Sequence, residues 1–171
     1  IVDLILGPSS LSCDDENIKI HRVESSEEMF KKVDSLFDRS DVSIFSAAVS
    51  DFSPVDIQKT KIKKTDNLLN VEFKPTKDII SIMSKKKRKN QFMVGFSLET
   101  DNEIENAKLK LKNKGVDMIV LNSLNNKDTC FNHDTNKITI IEKDNNLTDF
   151  DFKHKMYVAQ DIISVILKNI K

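Results

Sequence analysis

Apolar residues along this chain gather in short runs separated by charged stretches, and the spacing inside each run predicts an element. Ile1 to Leu6 is apolar apart from Asp3 and closes on the loop Gly7-Pro8-Ser9-Ser10, the pattern of a strand covered on both faces. A second short strand is predicted around Ile18 to Val23. Ser25 and Glu28 then form a capping-box pair, and Met29, Phe30, Val33, Leu36 and Phe37 recur at helical spacing, so a packed amphipathic helix follows. Val42 to Val49 is a third apolar run, ending in small residues and Asp51. The stretch from Lys59 to Lys64 has little apolar content and predicts an exposed loop. Leu68 to Phe73 reads as a strand, Thr76 as the cap of a short helix that buries Ile79, Ile80 and Met83, and Lys85 to Lys89 as a basic turn.

The second half of the pattern is more regular. Gln91 to Phe96 is strand-like, and Thr100 with Glu103 makes another capping box, opening a helix that runs to Lys114 and stops at Gly115. Its buried stripe is Ile104, Ala107 and Leu111. Asp117 to Asn122 follows at once as a strand, and a β-α-β unit of this kind implies parallel strands with a right-handed crossover. Lys137 to Glu142 alternates like one strand of a late hairpin, and Tyr157 to Ile170 predicts a terminal helix. Strands alternating with helices give an α/β fold: a doubly wound, mostly parallel sheet with helices on both faces, plus the late β-hairpin. Ligands are then expected at the carboxyl ends of the strands. Three such ends carry small or polar residues, Ser46 to Asp51, Gly95 to Thr100 and Leu121 to Ser123, and they should converge on one edge.

Composition narrows the function classes. A chain of 171 residues with 39% hydrophobic content fits a single domain, residues 1–171, with one core. Lys plus Arg and Asp plus Glu both number 27, so no global field draws the protein to a nucleic acid or an anionic membrane, and 6% aromatic content weighs against base stacking. Any anion must be held by a local cluster. Cys13 and Cys130 lack zinc spacing and fit a reducing cytoplasm. No apolar run approaches the roughly 20 residues that a membrane helix needs. The opening in mid-strand, without a Met or the basic flank of a signal peptide, leads us to expect residues before Ile1.

The candidate chemistry is cationic. Ala47 and Ala48 would let a ligand approach the backbone, and Asp51 could accept hydrogen bonds from a sugar or base, although small residues at a strand end are more often packing under a helix. Lys59, Lys61, Lys63 and Lys64 could fold over a triphosphate; a charge run is more often a solvated loop. In the helix after Thr100, Lys110 and Lys114 share one face and Lys108 and Lys112 another. Helical spacing alone does not say which pair faces a ligand. Three isolated glycines exclude both GxxxxGK[ST] and GxGxxG phosphate loops, and His21, His133 and His154 have no partners at triad spacing. An enzyme built from these residues works by positioning and charge stabilisation.

Taken in order, these segments resemble the synthetase domain of the phosphopantothenoylcysteine synthetase and decarboxylase flavoprotein family. Ala47 to Phe52 (AAVSDF) is similar to its AAVADx motif, Lys61 to Lys64 (KIKK) to its lysine loop and Thr76 to Ile79 (TKDI) to its NPDI, with Lys77 in place of the proline. Val94 to Thr100 (VGFSLET) resembles VGFAAET, Lys108 to Leu124 resembles K-x-K-x-x-x-K-x-x-D-x-I-V-x-N, and Phe131 to Ile141 resembles the late hairpin.

The resemblance implies a Rossmann-like homodimeric ligase of coenzyme A synthesis. The carboxylate of 4'-phosphopantothenate would attack the α-phosphate of CTP to give an acyl-cytidylate and pyrophosphate, and the amine of L-cysteine would displace CMP. Carried over residue by residue, Phe45, Ser46, Ala47, Asp51, Lys77, Asp78, Ile79, Ile80 and Phe96 would contact the nucleotide, and Ala48 would meet the substrate. Lys61, Lys110 and Lys114 would be the catalytic, phosphate-gripping lysines. Mg²⁺ is the expected helper, with no metal-ligating residue assigned, and a flavin-dependent decarboxylase domain is an expected fusion partner or associate. The family's opening segment, with its first strand and an N-x-SSG stretch, has no counterpart before Ile1. The phosphopantothenate pocket is therefore expected to be incomplete here, and ligation by this stretch alone to be slight. A different class, a nucleotide-binding α/β module without ligase activity, shares the same pattern; cysteine-dependent turnover separates the two.

Overall fold

The computed structural model describes residues 1–58, 60–64, 68–123 and 133–170. Lys59, Leu124, Cys130, Phe131 and Asn132, which figure in the reading above, lie outside the described residues. Two compact units divide the chain, Ile1–Ser35 with Ala47–Ile79 and Leu36–Ser46 with Ile80–Lys171.

In the first unit, β1 (Val2–Leu6) pairs in parallel with β2 (Ile18–Arg22), from Val2 opposite Ile18 to Leu6 opposite Arg22. Val2 is exposed and Asp3 to Leu6 are only half-buried, so β1 is not covered on both faces as its apolar run predicts. Asp3 makes one face polar: its carboxylate lies 2.7 Å from His21 Nε2. The helix α1 (Ser26–Phe37) follows, with its last two residues counted in the second unit. Ser25 caps it as predicted, accepting the Glu28 N–H at 3.2 Å. The Glu28 carboxylate reaches one residue further back than a capping box requires and accepts the Glu24 N–H at 3.0 Å.

A short antiparallel arm, β4 (Phe52–Pro54) against β5 (Phe73–Pro75), completes this unit. The strand expected over Leu68 to Phe73 forms only from Phe73 onward, and Leu68, Leu69 and Val71 are exposed. Its partner strand is three residues long and ends at Pro54, which has no N–H to offer a ladder. Thr76 does not cap the next helix. Its hydroxyl donates to Ser50 O at 2.6 Å and its N–H to Asp51 O at 2.9 Å, which ties the base of the arm to the 47–51 loop.

The second unit is a five-stranded sheet in the order β3 (Val42–Phe45), β6 (Phe92–Glu99), β7 (Met118–Ser123), β8 (Thr135–Glu142) and β9 (Leu147–His154). The strand expected from Val42 to Val49 is realised only as β3 (Val42–Phe45), because Phe45, opposite Gly95, is its last paired residue. Next come α2 (Ile79–Lys86), β6 (Phe92–Glu99), α3 (Glu103–Lys114), β7 (Met118–Ser123), the hairpin β8 (Thr135–Glu142) and β9 (Leu147–His154), and α4 (Lys155–Asn169). The ladders β3-β6 and β6-β7 are parallel, and the hairpin continues the sheet antiparallel. This is the Rossmann-like α/β fold the pattern predicts.

Strand alternation sorts the core into two layers. Val94, Met118, Val120, Ile138 and Ile140 pack against Val158, Ile162, Val165 and Ile166 of α4. Met93, Ile119, Leu121 and Ile141 are equally buried and point to the other face, where α3 supplies Ala107 and Leu111. Gly95 belongs to that second face. A Cβ there would stand 3.0 Å from both Ile119 Cδ1 and Ile80 Cδ1, so the glycine lets α2 sit close on the sheet.

The cap position of α3 falls on Asn102, two residues after the Thr100 at which the spacing places it. Asn102 occupies the cap in a left-handed conformation without a side-chain bond to the helix, and the Thr100 hydroxyl donates to Asp101 Oδ1. Ile104 is exposed and not part of the buried stripe. Gly115 ends α3 as predicted, at φ 66°, with its N–H on the Leu111 and Lys112 carbonyls.

Candidate functional site

In the second unit β3, β6 and β7 run parallel side by side, so their carboxyl ends share one edge of the sheet. β6 extends four residues beyond Gly95, the partner of Phe45, and its last residue is Glu99. Residues 95, 97 and 99 alternate onto the face that α3 covers. At this edge Lys110 Nζ lies 2.6 Å from Glu99 Oε1. The same oxygen accepts the hydroxyl of buried Ser97 at 2.6 Å, and nearby the Asn106 amide donates to Asp101 O at 2.9 Å. Burial opposes ionisation of Glu99, but the hydrogen bonds from Lys110 and Ser97, the Lys110 charge and Asn106 outweigh it and hold its pKa below the ordinary glutamate value.

The lysines of α3 separate into two flanks. At about 100° per residue, Lys110 and Lys114 fall to one side of the buried Ala107 and Leu111 and Lys108 and Lys112 to the other. Lys108 and Lys112 line an open cleft of about 630 Å³ with Lys143 and Asn145 of the hairpin turn, and Lys108 pairs with Glu105 at 3.4 Å. The third strand end spends its polar residue internally, since Asn122 Oδ1 accepts the Asn136 amide at 2.9 Å. At the opposite edge of the sheet, the Asp117 carboxylate accepts hydrogen bonds from Lys87 Nζ and from the Met93 N–H, and Lys143 lies within 3.6 Å.

The other positions singled out by sequence divide between the units. In the second, Phe45 and Ile80 are half-buried and Ser46 is exposed, beyond the end of β3. Phe96 packs on the α4 side of the sheet, on the face of β6 opposite to Glu99 and Lys110. In the first unit Ala47, Ala48 and Asp51 are exposed, which removes packing under a helix as the reason for the small residues. Lys61, Lys63 and Lys64 are exposed and outside regular structure, as the charge run predicts. Lys77 is anchored on α1, its Nζ 3.0 Å from Glu27 Oε1 and 4.2 Å from the centre of the Phe30 ring. Asp78 is exposed beside it, while the buried Ile79 leaves only its backbone to meet a ligand.

The sequence reading placed Ser97 and Glu99 in a polar strand end without giving either a role. The signal was the alternation of β6: once residues 95, 97 and 99 share the face under a lysine-rich helix, an acid at the strand end must meet a lysine. Among the described residues no cluster of three or more His, Cys, Asp or Glu side chains forms a metal cage, and no helix is long and apolar enough to cross a membrane.

Comparison with known proteins gives this arrangement its kin. The family model described as the DNA/pantothenate metabolism flavoprotein C-terminal domain matches residues 1–170. The chain is 46% identical over 166 residues to a protein named cysteine/cysteine sulfinic acid decarboxylase, from an unknown prokaryotic organism, covering 97% of this chain and 46% of that relative. It is 36% identical over 165 residues to the coenzyme A biosynthesis bifunctional protein CoaBC of Bacillus subtilis (strain 168), covering 96% of this chain and 40% of that one. The crystal structure of the C-terminal domain of a coenzyme A biosynthesis bifunctional protein CoaBC superposes with a TM-score of 0.78 at 28% identity, covering 96% of this chain and 72% of its own. The chain therefore spans less than half the length of these two curated relatives. With a family model matched from Ile1 to Ile170 and the same α/β fold, the chain belongs to the DNA/pantothenate metabolism flavoprotein C-terminal domain family.

Proposed function

We propose that this chain is the ligase portion of a coenzyme A biosynthetic enzyme, a phosphopantothenoylcysteine synthetase that joins 4'-phosphopantothenate to L-cysteine with CTP. The main support is Lys110, held by Glu99 at the carboxyl edge of the sheet on a flank of α3 that excludes Lys108 and Lys112. A cation set at that edge suits a step whose leaving group is pyrophosphate, because preorganised positive charge is worth most where negative charge develops. The substrate carboxylate attacks the α-phosphorus and pyrophosphate departs; the cysteine amine then attacks the acyl carbon and CMP departs. Lys110, Lys114 and Lys61 carry the phosphate contacts in this reading. Phe45, Ser46, Ala47, Asp51, Lys77, Asp78, Ile79, Ile80 and Phe96 keep the nucleotide roles that the resemblance gives them, and Ala48 its place against the substrate.

Mg²⁺, a hard cation that usually keeps phosphate and water ligands, would come with the triphosphate and shield its charge. The described residues offer it no cage of their own, and no step here depends on it. A homodimer is supported by the arm, where Phe52, Val55, Ile57, Ile62 and Phe73 are exposed apolar residues. Fusion to a decarboxylase is supported by the relatives, one named as a decarboxylase and one as bifunctional, and by the share of their length that the chain spans; a cytoplasmic location rests on the cysteine usage.

The test is product formation by the full-length polypeptide with each nucleotide. Cysteine-dependent ligation running faster with CTP than with ATP is expected. Faster turnover with ATP would overturn the nucleotide choice, and nucleotide binding without cysteine-dependent product would leave only a binding module.

A further inference from the structure

The carboxylate at the end of β6 touches neither nucleotide nor substrate in the reading above, yet it is held by a buried hydroxyl and by Lys110. Glu99 is 13% exposed, whereas its partner Lys110 is 44% exposed. The Ser97 hydroxyl, itself buried, holds Glu99 Oε1 at 2.6 Å. Glu99 is thus fixed from its own strand, and the more exposed Lys110 docks on it from α3.

A half-exposed ion pair contributes little to stability, since water screens it and a long side chain must be ordered to make it. Its effect lies in where it places the cation. Lysine has four rotatable bonds, and the helix backbone alone does not fix the ammonium. One of the three N–H bonds of the ammonium goes to Glu99, so donors remain for an anion arriving at the strand edge.

We infer that Glu99 is a positioning residue for Lys110: it holds the ammonium at the carboxyl edge of β6 before the nucleotide arrives, so that the charge meets the departing pyrophosphate without reorganising. The inference rests on the reading that puts Lys110 on the nucleotide phosphates. Removing Glu99 leaves the charge of Lys110 in place but its position unset. Attraction of the triphosphate is then largely kept, while stabilisation of the leaving group falls.

The experiment is a double-mutant cycle in the full-length polypeptide, reading kcat and KM for CTP in acyl-cytidylate formation. Glu99→Gln keeps the size and shape of the side chain and should lower kcat about tenfold with KM changed less than about threefold. In a Lys110→Gln background the same change should have almost no effect, because the group it acts through is gone. Glu99→Asp should recover part of the loss. Ser97→Ala, which loosens the anchor without removing the charge, should give a smaller loss that also disappears in the Lys110→Gln background; it serves as the reporter if Glu99→Gln does not fold. Wild-type kcat in a folded Glu99→Gln protein, or losses from Glu99→Gln and Lys110→Gln that multiply, would overturn the inference while leaving Lys110 on the phosphates. Wild-type activity in Lys110→Gln would overturn that underlying reading, and the inference with it.

Discussion

Lysines suited to anion binding occur in two regions of this molecule, and the two regions hold them differently. Those of α3 are set on a helix whose Ala107 and Leu111 are buried under the sheet, and Lys110 is docked on an anchored carboxylate. Those of residues 60–64 lie exposed, outside any helix or strand. A cation placed in advance can stabilise developing charge without reorganisation, whereas one carried on an exposed loop must be ordered when the ligand arrives and loses side-chain entropy at that moment. Identical side chains therefore contribute unequally, and substitutions in the two regions should separate fold from chemistry.

The largest expected effect is on the scaffold under α3. Asp117→Asn removes the charge that partners Lys87, a pair in which both side chains are mostly buried, and leaves an uncompensated ammonium against the sheet. Chemical denaturation should register a loss of roughly 3 kcal/mol. An unchanged midpoint would mean that the layer beneath the helix does not depend on this pair.

Next is the contrast inside α3 itself. Lys110→Gln with Lys114→Gln should cut acyl-cytidylate formation by the full-length polypeptide at least about a hundredfold, given roughly 1.5 to 3 kcal/mol for each charge-assisted bond. Lys108→Gln with Lys112→Gln changes net charge and helix propensity equally and should leave the rate nearly unchanged. Equal losses, in proteins shown by circular dichroism to be folded, would mean that only general charge matters.

The smallest effect should come from the loop. Lys61→Gln should lower kcat/KM for CTP about tenfold, the worth of one partly screened phosphate contact. It should leave the thermal unfolding midpoint where it was, because an exposed lysine outside regular structure supports no packing. A loss as large as that of the α3 pair would erase the distinction between placed and recruited cations.

Sequence patterning anticipated the regular part of the fold well, because β6, α3, Gly115 and β7 follow from periodicity and backbone chemistry that act locally. It failed where a neighbour decides the outcome. The cap of α3 sits at Asn102, in a left-handed conformation, and not at Thr100 as the spacing alone suggests. Leu68 to Glu72 has strand composition, but the partner β4 ends at Pro54, and past it the Val55 N–H bond to Glu72 O at 2.9 Å is outside the assigned ladder. In the site, helical spacing separated the two lysine pairs without saying which flank met the strand edge. That depended on Glu99, whose importance appears only once β6 and α3 are packed face to face.

Lys77 has a consequence of its own. The related NPDI segment carries a proline at this point, and a ring restricts the backbone by covalent geometry that no solvent alters. Here the same stretch is fastened by a half-exposed ammonium between Glu27 and the Phe30 ring. A fastening made of charge is open to the medium: counterions screen it over a Debye length of about 8 Å at physiological ionic strength. A proline's restriction would not respond to salt, whereas the Lys77 contact, half-exposed on both sides and worth little to stability, weakens as ionic strength rises.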